Sequence, residues 1–203
     1  KATSIDLSSL SYYDGAATLT IGGNTATAGW DLDMPLFQDN KSDGIKRGFD
    51  ITFTGYINLV ELDNLVDSRS SVTAQNAKTI VLDNLEGELV DTSNTHVSVT
   101  LGKFIKAYTP GAKLETFVAT GVAATAATTK GPSIDFGAAT NLVSVDISGT
   151  VGAITLDNAN VETVDISATS SSIDLTGATS LTSLSITGNV DGEIDINGVD
   201  SLT

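Results

Sequence analysis

The chain has 203 residues, of which 40% are hydrophobic and only 5% are aromatic, and its formal net charge is -15. It has no cysteine, which excludes disulfide bonds and thiolate metal sites. No Lys or Arg follows Lys130, whereas nucleic acids and anionic lipids are bound largely through such residues, so nucleic-acid binding is excluded as a function. No apolar run reaches the length of about 18 residues that a spanning helix needs, so we expect no membrane insertion.

The first 50 residues differ from the rest of the chain, and we predict that residues 1–50 form an irregular N-terminal cap with a long loop. Thr18-Leu-Thr-Ile21 alternates polar and apolar residues, as a strand does. The predicted loop runs from Gly22 to Gly48 and holds the only tryptophan, Trp30, together with Phe37. Loops of this length usually carry function or are disordered. This segment either covers the first coil or binds a ligand.

The same loop contains a spacing that resembles a calcium loop. Asp39, Asp43, Gly44 and Asp50 stand at positions 1, 5, 6 and 12 of a twelve-residue segment. Lys41 occupies position 3, where calcium needs an oxygen ligand. The sequence therefore does not favour calcium binding at this loop.

An internal repeat with a period of about 20 residues governs the segment 51–203. Ile57, Val60 and Leu62 return, all at one constant offset, as Ala77, Ile80 and Leu82. The repeat is most regular near the C-terminus, in Leu142-x-x-Val145-x-Ile147, Val161-x-x-Val164-x-Ile166 and Leu181-x-x-Leu184-x-Ile186. One such unit has too little apolar surface to fold alone, so consecutive units must stack over a shared core.

Each repeat also carries a second apolar pair with alternating polar neighbours. These pairs are Ile134/Phe136, Ile154/Leu156, Ile173/Leu175 and Ile194/Ile196. Small polar turn residues separate the two apolar segments and leave no room for a helix. We therefore predict an all-β fold, a parallel β-solenoid of about 20-residue coils with two short strands per coil, in one continuous domain over 51–203. The Ala- and Thr-rich stretch from Gly121 to Lys130 remains unassigned.

Stacking in register would place carboxylates in outward columns. Asp135, Asp174 and Asp195 fall in one strand column, interrupted by Thr155, and Asp146 and Asp165 are adjacent in the other. Strands about 4.8 Å apart would bring these charges close together. The columns either form a solvated acidic face or hold a divalent cation, for which Ca²⁺ is the candidate. No other cofactor is expected.

The segment Leu181-Thr-Ser-Leu184-Ser-Ile186-Thr-Gly-Asn189 resembles the first part of the leucine-rich-repeat consensus, including its asparagine. The far side of each coil reads as a second strand instead of a helix. Over residues 51–203 the chain thus resembles a degenerate leucine-rich-repeat or β-solenoid protein of the surface-layer or adhesin type. This resemblance implies a scaffold or binding role and transfers no site residue.

The sequence offers little support for catalysis. His96 is the only histidine, and its neighbours Thr95 and Val97 favour a structural position at a strand edge or turn. The sequence has no nucleophile-elbow pattern and no phosphate-binding glycine loop. Two carboxylates on a β-helix face can cleave a glycan. Enzymes of that kind, however, have longer coils and aromatic sugar platforms. We expect no enzymatic activity.

These observations predict a secreted or cell-surface structural or adhesive module that provides a rigid scaffold for assembly or for binding a protein or glycan. The alternative is a carbohydrate-binding or carbohydrate-active module, whose platform would have to come from Tyr12, Tyr13, Trp30, Phe37 and Tyr56. Ice binding is disfavoured, because the coil faces mix Asp, Thr, Ser and Glu.

The last residues, 199–203, begin another Leu-x-x coil. We expect the chain either to belong to a longer surface protein or to self-associate through its C-terminal coil.

Overall fold

A computed structural model describes residues 17–22, 30–34, 49–54, 57–63, 71–74, 77–83, 88–90, 95–102, 108–122, 131–157 and 160–202. These residues form strands and turns and include no helix. Within them there is accordingly no helix long and apolar enough to cross a membrane. The strands are β1 (Ala17–Gly22), β2 (Trp30–Met34), β3 (Phe49–Thr54), β4 (Ile57–Asp63), β5 (Ser71–Thr73), β6 (Ala77–Asp83), β7 (Glu88–Val90), β8 (Ser98–Gly102), β9 (Thr116–Val122), β10 (Ile134–Asp135), β11 (Ser144–Gly149), β12 (Ala153–Thr155), β13 (Thr163–Ile166), β14 (Ser172–Asp174), β15 (Ser183–Ile186) and β16 (Ile194–Asp195).

The strands form three parallel sheets that wind into a solenoid. One sheet has eight strands in the order β15-β13-β11-β9-β8-β6-β4-β2 and runs the length of the described stack. Two four-stranded sheets, β1-β3-β5-β7 and β10-β12-β14-β16, form the second side of the coils. The predicted fold class, an all-β parallel solenoid with two short strands per coil, is confirmed.

The core consists of apolar columns that stack in register along the eight-stranded sheet. One column contains Val60, Ile80, Val99, Phe117, Val145 and Val164, and all six are buried. A parallel column contains Leu82, Leu101, Ala119, Ile147 and Ile166, also buried. Val145 and Val164 pair directly, as the repeat predicts. Burial of these side chains supplies the main stabilising free energy of a stack that no disulfide constrains.

The aromatic side chains concentrate where the coil length changes. Phe117 and Val145 are partners in neighbouring strands although the chain between them is longer than in the regular coils. Phe117 stacks on Tyr108 at a centroid distance of 5.5 Å and meets Phe136 edge-on at 5.1 Å. These rings fill the core beside the small Ala119, which keeps the columns continuous across the irregular coil.

Gly149 allows β11 to resume its pairing after a register shift against β9 between Ile147 and Gly149. Its φ is +100°, a conformation that residues with a side chain rarely adopt. A Cβ at this position would lie 2.3 Å from the carbonyl oxygen of Val122. Only glycine therefore fits at this position.

The solenoid ladder begins within the segment predicted to be a cap. β1 confirms the strand expected at Thr18–Ile21, and it pairs in parallel with β3. The loop expected between Gly22 and Gly48 contains a strand, β2, which pairs with β4. The long step from Leu32 to its partner Val60 hides this strand from a search at the regular period. The rest of the predicted cap lies outside the described residues.

Candidate functional site

A column of carboxylates runs along the second side of the last coils. Asp135 is in register with Thr155, Thr155 with Asp174, and Asp174 with Asp195. The geometry matches the column predicted from the sequence, including the interruption at Thr155. We refer to Asp135, Asp174 and Asp195 as the acidic column. Because parallel strands lie about 4.8 Å apart, Asp174 and Asp195 place two negative charges in adjacent positions.

Each carboxylate of the acidic column closes the turn that follows its own strand. Its Oδ1 accepts a hydrogen bond from the backbone N–H two residues later, at 2.9, 3.0 and 3.0 Å in the pairs Asp135–Gly137, Asp174–Thr176 and Asp195–Asn197. The side chains of Thr176 and Asn197 donate to the same oxygens. This arrangement is an Asx turn repeated from coil to coil. It explains aspartate at these positions without any ligand.

The second predicted acidic pair lies on the outward face of the eight-stranded sheet. Asp146 and Asp165 are in register and exposed, with Val118 and Ser185 as their neighbours on either side. Among the described residues, no group of three or more His, Asp or Glu side chains is placed to hold a metal ion. Calcium takes about six to eight oxygen ligands, more than two neighbouring carboxylates supply. Calcium binding at either set of aspartates remains a prediction.

A regular column of hydroxyl groups lies on the same outward face, and the sequence search did not identify it. It alternates strictly between the two hydroxyl residues, in the order Thr79, Ser98, Thr116, Ser144, Thr163, Ser183. We call these six residues the hydroxyl column. The signal was present, because a Ser or Thr precedes the first buried residue of each strand. The longer step between Thr116 and Ser144 concealed the alignment.

The adjacent outward column changes character along the solenoid. It begins with Val81, Thr100 and Val118, which are half-buried, and continues with Asp146, Asp165 and Ser185. The outward face thus presents a constant row of hydroxyl groups beside a row that changes from mixed apolar and hydroxyl to acidic. Such a face can form the same hydrogen bonds at regular intervals along its length.

His96 is buried immediately before β8. Its Nε2 lies 2.9 Å from the backbone carbonyl oxygen of Ala74, so this nitrogen carries the proton and donates it in a hydrogen bond. The bond links neighbouring coils, because Ala74 belongs to the coil before that of His96. This position supports the structural role expected for the histidine.

The proposed sugar platform falls largely outside the described part of the chain. Trp30 lies in β2, and only its backbone pairing is described, while Phe37 and Tyr56 lie outside the described residues. The aromatic side chains that are described, Phe53, Tyr108, Phe117 and Phe136, are buried in the core. None of these four offers an exposed ring for a sugar.

Comparison of the chain with protein-family models, with curated proteins and with solved structures finds no significant match.

Proposed function

We propose that this chain is a non-enzymatic structural or adhesive module of a secreted or cell-surface protein, and that it provides a rigid scaffold for assembly or partner binding. The observation that supports this role is the uninterrupted parallel sheet from β2 to β15. Its core columns stay in register although successive coils differ in length, as the short step from Val99 to Phe117 and the long step from Phe117 to Val145 illustrate. Irregular coils are accommodated on the outside of a constant stack.

The corners of the coils are also bonded to one another, which adds rigidity. Val143 donates its backbone N–H to the Glu115 carbonyl at 2.8 Å, and Thr182 donates to Glu162 at 3.0 Å. Similar bonds link the turns on the other side, such as that from Thr169 to Gly149 at 2.8 Å. Turns that are tied to their neighbours leave the stack little freedom to bend, which is what a scaffold requires.

The hydroxyl column gives this scaffold a repetitive contact surface. Its groups recur at about 4.8 Å, the spacing between parallel strands. A surface protein or glycan with its own repeated hydrogen-bonding groups could form many weak contacts at once, and linked weak contacts bind far more tightly than any one alone. A protein or glycan of the cell surface is therefore the proposed partner.

Fractionation of cells of the source organism tests the proposed location and role. Antibodies raised against the chain are expected to label the cell envelope or the culture medium. A cytosolic marker and a known envelope protein serve as controls in the same fractions. Recovery of the chain with the cytosolic marker would contradict the proposal.

Carbohydrate binding is the alternative function, and it depends on Trp30, Phe37 and Tyr56. A panel of immobilised glycans distinguishes it from a purely structural role. If the alternative is correct, one glycan class is retained by the chain and lost on combined replacement of the three aromatics by alanine. The exposed substitution Val143→Ala is the control and should leave binding intact. Retention that survives the triple replacement would argue against the aromatic platform.

A further inference from the structure

The last described coil is open on one side. Ile194 belongs to the column of Ile134, Ile154 and Ile173, which are buried, yet Ile194 itself is 42% exposed. Ile196 is 49% exposed and Leu202 is 40% exposed. We call residues 183–202 the end coil. Its strands, β15 and β16, are paired on one side only within the described residues. Unpaired strand edges with exposed apolar side chains favour the addition of another strand.

The N-terminal sequence contains a segment that matches this edge. Leu7-Ser-Ser-Leu10-Ser-Tyr12 repeats the pattern of Leu181-Thr-Ser-Leu184-Ser-Ile186, the segment that contains β15. The offset from Leu10 to Leu19 equals the offset from Val145 to Ile154 and from Val164 to Ile173. Residues 7–22 therefore carry the spacing of one complete coil.

β1 supplies the second strand of that coil. Leu19 is in register with Ile51, and its column continues through Val72 and Leu89, which are buried. β1 is also the end strand of its own sheet. Leu19 consequently stands at the same place in its coil as Ile194 does in the end coil.

We propose that the end coil of one molecule binds residues 7–22 of a second copy by parallel strand addition. Leu10 of the second copy would pair with Leu184, and Leu19 with Ile194. The outward positions are compatible, because Asp195 would face Thr20, and Ser185 would face Ser11. No carboxylate would stand directly opposite another carboxylate, a pairing that destabilises neighbouring strands.

Charge favours this pairing over contact between two end coils. The end coil carries Asp191, Glu193, Asp195 and Asp200 and no cation, so two end coils would oppose four negative charges with four. Residues 1–22 carry one cationic side chain, Lys1, against two carboxylates, Asp6 and Asp14. The segment of the same molecule cannot reach, because β15 and β2 are seven strand spacings apart, about 34 Å.

The resulting contact joins unlike ends, so it does not close on itself and generates linear chains of molecules. This inference rests on the proposed scaffold function, since it names the partner through which the scaffold extends. Its failure would leave the cell-surface location untouched, whereas cytosolic recovery of the chain would contradict the scaffold function even if purified molecules assembled.

Sedimentation of the 203-residue chain over the micromolar concentration range tests the proposal. The average mass is expected to rise with concentration. Ile194→Lys and Ile196→Lys should each weaken association at least about tenfold, because a charge would enter the apolar contact. Both residues are exposed in the single molecule, so both variants should melt near the wild-type temperature. Val143→Lys places the same charge at a side chain that is 39% exposed on the outward face, and it should assemble normally.

A peptide of residues 1–22 provides the second test. It should cap the end coil and return assemblies to single molecules, and the same peptide with Leu10→Lys should not. A chain that stays monomeric at every concentration would overturn the proposal. Assembly that survives Ile194→Lys and Ile196→Lys, or closed dimers that the peptide does not dissociate, would overturn it as well.

Discussion

Asp174 illustrates how one residue type serves the repeat at the scale of single side chains. Its carboxylate accepts two hydrogen bonds from Thr176, one from the backbone at 3.0 Å and one from the hydroxyl at 2.8 Å. It also stands in register with Asp195. The turn favours an oxygen acceptor at this position, while the neighbouring carboxylate disfavours a charge.

Substitutions at Asp174 separate these two effects. Asp174→Asn keeps an oxygen acceptor and removes a like-charge contact, so the free energy of unfolding should stay the same or rise by a few tenths of a kcal/mol. Asp174→Ala removes both hydrogen bonds and should lower it by about 1 kcal/mol. Urea unfolding of both variants measures the difference. An asparagine variant as unstable as the alanine variant would show that the charge itself is needed, as at a cation site.

Ser170 is a buried hydroxyl residue whose removal should stabilise the protein. It forms a bridge with Val190 of the next coil, and its Oγ has no hydrogen-bond partner among the described residues. Ser170→Ala should therefore raise the free energy of unfolding by about 1 kcal/mol. Thermal melting would show this as a rise of about 2–4 °C. Ser144→Ala on the hydroxyl column is the matched control and should change stability by less than about 0.5 kcal/mol. A destabilised Ser170→Ala would indicate an unrecognised partner.

At the scale of strands and turns, the strand columns could be predicted wherever coil lengths are constant. The sequence predicts the in-register columns of Val145 with Val164 and of Ile154 with Ile173 because the members of both pairs are separated by the same regular coil length. β2 could not be found in this way, because the longer step to β4 breaks the period. Periodicity reports stacking, and an insertion between strands removes the signal without disturbing the stack.

Gly149 is the turn residue on which the register of β11 depends. Gly149→Ala should destabilise the protein by about 3 kcal/mol or more, because it combines an unfavourable φ with a clash against the Val122 carbonyl. Gly121 is the matched control, since its φ is +72° and nothing lies within 4 Å of a Cβ built there. Gly121→Ala should cost only about 1 kcal/mol. Equal effects in the two melting curves would mean that the clash is relieved by movement of the strand.

At the scale of the whole molecule, the candidate site could be predicted only in part. The acidic columns follow from the repeat, and the structure places Asp146 beside Asp165 as expected. The role of Asp135 in a turn depends on hydrogen bonds that the repeat does not specify. The hydroxyl column depends on the register across an irregular coil. Function is harder still to predict, because a repeated surface has no single convergent group of residues.

The net charge of -15 makes the cation response of the whole molecule informative. We expect calcium and magnesium at equal millimolar concentration to raise the melting temperature by the same amount, since both screen repulsion among carboxylates. A calcium site would add RT ln(1 + [L]/Kd) for calcium alone. A calcium-specific rise that is lost in an Asp146→Asn/Asp165→Asn double variant would contradict this expectation and place calcium on the outward face.

The register of Thr163 with Ser183 makes one coil a removable unit of length. Deleting residues 163–182 would join Glu162 to Ser183 and bring β15 onto β11 and β16 onto β12, with apolar residues still opposite apolar residues. The shortened molecule should fold, be about 4.8 Å shorter, and show a less stable cooperative transition. Duplication of the same residues should lengthen it by the same step. Changes in gene length by whole coils can therefore alter the reach of this protein while its outward face keeps the same chemistry.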